Sequence, residues 1–90
     1  MKIPKELNIG GHLVKIEIEE MDDMSGCWLN ESNTIKICKS LSQSQKESTL
    51  IHEILHVLNS ELDGREIGHM LLDSLANQLY QVLADNKLLK

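Results

Sequence analysis

The run His52-Glu53-Ile54-Leu55-His56 constrains this chain more than any other feature of its sequence. Two histidines four positions apart on a helix lie on one face, one turn above the other, so both rings reach a single ion. Glu53 follows His52 directly and points about 100° away around the axis, so it cannot bind the ion alongside them. It can still reach a water held there, which is where a general base is wanted. Imidazole nitrogens at this spacing suit zinc, which takes nitrogen, oxygen or sulfur donors close to tetrahedrally. The competing reading is an accidental pattern on an amphipathic helix. This chain's own His and Glu content would produce it by chance in roughly two of a hundred such sequences.

The surroundings support a helix. Ser44-Gln45-Lys46-Glu47 has the Ser-x-x-Glu form of a capping box, and the only proline is Pro4. The first helix is predicted over 44–60, and Asp63-Gly64 supplies the break. A second helix is predicted over 65–86, with Ile67, Leu71, Leu75, Leu79 and Val82 as its apolar set. Upstream, residues 1–40 read mainly as strands. Val14, Ile16 and Ile18 alternate with Lys15, Glu17 and Glu19, as in a half-buried strand. Gly10-Gly11 before it reads as a tight turn that makes Lys5–Ile9 a short first strand. A second hairpin is expected from Cys27–Leu29 through a turn at Asn30–Asn33 to Thr34–Cys38. The expected fold class is α+β: a small sheet of three or four strands with antiparallel pairs, then two helices in a hairpin. With ninety residues, one domain is expected.

Two histidines leave zinc short of ligands. If the first helix ends near Ser60, His52 and His56 lie about 12 Å and 6 Å back from its end. With the second helix starting near Arg65, Asp73 lies about 12 Å in and His69 about 6 Å in. Glu66 is too near the turn and Asp85 too deep. Asp73 also stands between Leu72 and Leu75, where a carboxylate is costly unless paired or metal-bound. Asp73 is therefore the favoured third ligand, and His69 is the alternative ligand or a supporting residue. The plainer readings are a solvated flank for Asp73 and a surface histidine for His69. Tyr80 could donate to an oxyanion, although helix packing suits its position better. Trp28 reads as a core or sheet-face anchor and His12 as a surface residue.

Composition narrows the partners. Nine Lys and Arg stand against 14 Asp and Glu, with no Phe, one Trp and one Tyr. An acidic chain with no basic run and almost no aromatics on which bases could stack is a poor nucleic-acid binder. No stretch approaches the roughly 18 apolar residues of a membrane span, and no secretory signal is legible at the N-terminus. Cys27 and Cys38, outside any Cys-x-x-Cys spacing, are then expected as reduced thiols in a cytoplasm.

Thr34-Ile35-Lys36-Ile37, a polar connection and Ser48-Thr49-Leu50-Ile51-His52-Glu53-Ile54-Leu55-His56 together resemble the ImmA/IrrE-type metallopeptidases. In that gluzincin-like group a strand leads into a Thr-Leu-x-His-Glu-x-x-His helix. Asp73-Ser74-Leu75-Ala76-Asn77 is similar to the group's Glu-x-x-Ala-Asn segment, whose Glu is the third zinc ligand. The stretch Ala76–Asn86 is also similar to short phage and prophage proteins with the same His-Glu-x-x-His motif. The resemblance spans roughly Thr34 to Asn86. It departs at Asp73, whose shorter side chain requires either that the second helix approach about 1 Å closer or that a different residue be the third ligand. It implies a small zincin-type hydrolase that cuts a protein or peptide partner, often a regulatory protein, in a bacterial or phage-infected cell. In that reading His52, His56 and Asp73 hold zinc and Glu53 activates water, with Thr34–Cys38 as an edge strand aligning the peptide. The rival expectation is a non-catalytic or latent zinc-stabilised binding module.

Overall fold

The computed structural model describes residues 1–62, 64 and 66–89. Four strands come first: β1 (Glu6–Ile9), β2 (His12–Glu19), β3 (Gly26–Leu29) and β4 (Thr34–Cys38). Two helices follow, α1 (Gln43–Ser60) and α2 (His69–Asp85). The α+β class expected from the periodicities is the one observed. Gly10 and Gly11, both at positive φ, make the two-residue turn between β1 and β2. A short 3-10 turn over Asn30–Ser32, closed by Asn33 in the left-handed region, joins β3 to β4.

The strand order is β1-β2-β4-β3, with β1/β2 and β3/β4 antiparallel and β2/β4 parallel. This corrects the expectation that Thr34–Cys38 is an edge strand. Leaving β2, the chain passes to the far side of the sheet as β3 and returns as β4 into the space beside β2. A strand with neighbours on both sides has its backbone groups paired, and four of the five β4 residues are buried. The free edges are β1 and β3.

Ile9, Val14, Ile16, Ile35 and Ile37 cover one sheet face, and Leu50 and Val57 of α1 close over them, with Trp28 packed against the cluster. The opposite face is mostly solvated, apart from the buried Thr34 and Cys38 of β4, and carries pairs such as Lys36 Nζ to Glu19 Oε1 at 2.8 Å. Helix α2 packs chiefly on α1, which makes it an outer third layer. Among the described residues, no helix is long and apolar enough to cross a membrane.

Three helix expectations need correction. The capping box is Ser42 with Gln45, two residues earlier than Ser44 with Glu47. Ser42 Oγ accepts from the Gln45 N–H, and Gln45 Oε1 accepts from the Ser42 N–H at 3.0 Å. Glu47 instead accepts from the Met1 amino group and from the Tyr80 hydroxyl. Second, α2 begins at His69 and not near Arg65. Asn59 holds the approach to it in a non-helical form: its Oδ1 accepts from the Ile67 N–H at 2.7 Å, and its Nδ2 donates to the Ile67 carbonyl at 3.0 Å. The break expected at Asp63-Gly64 and the start at Arg65 fall partly on Asp63 and Arg65, outside the described residues. Third, the buried line of α2 is Leu72 and Ala76, while Leu71, Leu75, Leu79 and Val82 are exposed. The apolar stripe of α2 is wider than the one face that α1 can cover.

Candidate metal centre

The centre of α1 presents three successive roles as its faces rotate. Leu50 and Val57 point into the sheet, Glu53 lies buried on the flank facing β3, and His52 and His56 lie half-buried on the side facing α2. The i,i+4 spacing acts as expected: the Nε2 atoms of His52 and His56 are 3.0 Å apart.

Helix α2 brings Asp73 to the same point. Asp73 Oδ1 is 3.1 Å from His52 Nε2 and 3.6 Å from His56 Nε2. Ala76, one turn further on, is buried at the contact with α1, and its single methyl allows the close approach that a short carboxylate needs. The antiparallel register is set at Asn59. Ile67 is pinned there, and four helical residues from His69 bring Asp73 about 6 Å back, level with the gap between His52 and His56.

The chemistry of this cluster fits a metal ion. Asp73 Oδ1 is buried and has no hydrogen-bond partner, despite its proximity to two ring nitrogens. An orphaned buried carboxylate oxygen is costly. Donors about 2.1 Å from one tetrahedral ion stand about 3.4 Å from each other, and the three separations here bracket that value. Burial, followed by the charges of His52 and His69, holds His56 below the usual histidine range, toward the neutral form that can ligate.

His69 occupies a different place. Its Nε2 lies 3.3 Å from Asp73 Oδ2, the outer carboxylate oxygen, and its side chain is 72% exposed. Its ring centroid is 5.0 Å from that of His56. It supports Asp73 from the solvent side and stands outside the three-atom cluster formed by His52, His56 and Asp73.

Glu53 is 7% exposed and does not join the cluster. Burial, and secondarily the charge of Asp73, push its carboxyl up to about 7. That is the range in which a carboxylate both accepts and returns a proton near neutral pH.

Gly26 lies just outside the strand expected at Cys27–Leu29, begins the observed β3, and has a role at the site that no motif announces. A Cβ there would sit 2.6 Å from Thr49 Cγ2 and 2.7 Å from the Lys36 carbonyl oxygen. Glycine at the start of β3 therefore lets the edge strand run close along α1 beside Glu53. The available signal was a glycine next to a short strand, which often marks a close backbone approach. Two hollows share Gly26, His52 and Glu53 as walls. One, of about 410 Å³, continues along Ser25, Gln45, Ser48 and Asn77. The other, of about 750 Å³, runs past Trp28, His56, Asn59 and His69. Tyr80 takes no part: its hydroxyl donates to Glu47 Oε1 at 3.2 Å and ties α2 to the first half of α1.

Comparison of the chain with protein-family models, with curated proteins and with solved structures yields no match.

Proposed function

We propose that this protein is a zinc-dependent peptidase that hydrolyses a peptide bond in a protein partner. The observation that carries the reading is the orphaned Asp73 Oδ1 facing two imidazole nitrogens, with a buried carboxylate, Glu53, next to them on α1. His52, His56 and Asp73 would hold the ion through Nε2, Nε2 and Oδ1. Zinc bound there supplies Lewis acidity toward water and a substrate carbonyl.

The remaining work falls to the chain. Glu53 takes the proton of the attacking water and passes it to the leaving amine. A carboxyl group poised near neutrality suits both transfers. The substrate strand aligns on β3, the free edge that borders the site, in place of β4, which was expected at an edge and lies inside the sheet. Side chains on either side of the cut bond enter the two hollows that meet at Glu53. His69, exposed beside Asp73, steadies that carboxylate and is within reach of a substrate lying in the larger hollow.

The resemblance to ImmA/IrrE-type peptidases supports a regulatory protein as substrate and a bacterial or phage-infected cytoplasm as the setting. One observation favours a second reading, a zinc-stabilised binding module without catalysis. His69 is close enough to Asp73 and His56 to become a fourth donor by a rotamer change, and a zinc with four protein ligands is closed to substrate.

The deciding experiment loads the protein with one equivalent of zinc and incubates it with a complex peptide mixture, reading new termini by mass spectrometry. Cleavage that disappears in Glu53→Gln with zinc retained supports the peptidase. Zinc held by both proteins with no cleavage by either overturns it in favour of the binding module.

A further inference from the structure

Helix α2 has two flanks, and the metal centre uses one. On the opposite side of its buried line, the helical spacing gathers Leu71, Leu75 and Val82, which are 66%, 45% and 47% exposed. Leu79 lies at the margin of the same stripe, and Leu58 and Leu62 extend it across to the matching flank of α1 and its end. Together these side chains bare on the order of 500 Å² of apolar surface, about the largest patch that a monomer of ordinary size leaves open. Among the described residues the stripe itself is uncharged, and its border along α2 carries Ser74, Gln78 and Asn86, with the carboxylate of Asp85 at the C-terminal end.

We propose that this flank pairs with the same flank of a second copy, giving a two-fold dimer in which the α1–α2 hairpins form a four-helix layer. Two copies would bury roughly 1,000 Å² from these apolar side chains alone, which reaches the threshold of a specific interface before any rim contact is counted. Charge selects the occupant. The chain carries a net charge of −5, so two copies repel across most of their surfaces. Among the described residues the stripe meets one charged side chain on its α2 rim, Asp85 at the C-terminal end, so two copies can meet there with few like charges opposed, and the amide and hydroxyl border is compatible with its own image. The metal centres face away from the interface, so both stay open. Pairing also braces α2, which otherwise rests chiefly on α1, and with it the helix that carries Asp73.

The test is sedimentation equilibrium of the full chain from about 10 to 200 µM, with thermal melts over the same range, because a dimer's melting temperature rises with concentration. The wild type should approach twice its 10.2 kDa mass at the upper end. Leu75→Glu with Val82→Glu should stay monomeric throughout, with unchanged helical circular dichroism and a concentration-independent melt. Leu71→Gln, a milder change at the most exposed of the three flank side chains, should weaken association without abolishing it. A wild type that remains monomeric at 200 µM overturns the proposal and leaves the flank to a different protein. A double variant that still dimerises overturns it as well, because the interface then lies elsewhere.

Discussion

Asp73 Oδ1 stands 3.1 Å from His52 Nε2, although the two residues belong to different helices, 21 positions apart in the chain. The contact joins the outer layer of the molecule to the central one, as the Tyr80–Glu47 hydrogen bond does nearer the start of α1. Whatever occupies the Asp73–His52 contact acts on both the chemistry and the stability of the helix pair.

Zinc should bind at one ion per chain, and stripped protein should recover it. Asp73→Ala removes a ligand, so affinity should fall by more than about 100-fold, beyond the effect of losing an outer partner. Leu72 and Ala76 still pack on α1, so the variant should remain folded. His69→Ala should cost less, about tenfold, since it meets the outer oxygen of Asp73 and the His56 ring and none of the three clustered donor atoms. Competition titration with a chromophoric chelator measures both. A reversed order would make His69 the third ligand.

Metal removal should lower the melting temperature by several degrees, because ligands from α1 and α2 are tied together only in the folded chain. Differential scanning calorimetry of verified holo and apo protein reads the shift. Asp73→Ala should show almost none.

Glu53 gives a pH signature in the metal-free protein. Its folded-state value of about 7 is raised above the ordinary 4.5, so the folded state holds its proton more tightly than the unfolded chain. Stability therefore falls as pH rises from about 4.5 to 7, by a total of about 3 kcal/mol. Glu53→Gln should abolish this loss and leave apo protein more stable than wild type at pH 8. Urea unfolding of both proteins at pH 5 and pH 8 checks it, and equal slopes with pH would refute the buried-carboxyl account. Glu47 works in the opposite sense: the Met1 amino group beside it holds its carboxyl low, so its stabilisation is lost only as pH falls below about 4.5.

Gly26→Ala should destabilise the protein by about 1–3 kcal/mol, the usual cost of overpacking a tight contact. Adding Thr49→Ser removes the closer clash but leaves the Lys36 carbonyl in place, so rescue should be partial. Thermal melts of the three proteins decide it, and an unchanged melting temperature for Gly26→Ala would show that β3 can move off α1 freely.

Asn59→Ala deletes both hydrogen bonds to Ile67 and should cost about 1–3 kcal/mol. Because that pin sets the height of α2 against α1, zinc affinity should also fall although Asn59 touches no ligand atom. A loss of stability with affinity unchanged would place the register elsewhere, most plainly in the packing of Leu72 and Ala76.

What the sequence by itself determined was local. Strand alternation around Val14 and Ile16, the Gly10-Gly11 turn and the convergence of His52 and His56 all follow from periodicities of two and 3.6 residues. Asp73 was also legible, since a lone carboxylate between leucines needs a partner. The depth argument that selected it nevertheless placed the start of α2 a full turn early. The tertiary structure decided the rest. It put β4 in the middle of the sheet and left β3 as the edge beside Glu53, because strand order depends on which surfaces pack and not on spacing within any one strand. It buried Leu72 and Ala76 and exposed Leu71, Leu75 and Val82, because α1 covers only one face of a broadly apolar helix. It brought Asp73 to the histidines through the Asn59–Ile67 pin, a side-chain contact to backbone that no periodicity encodes.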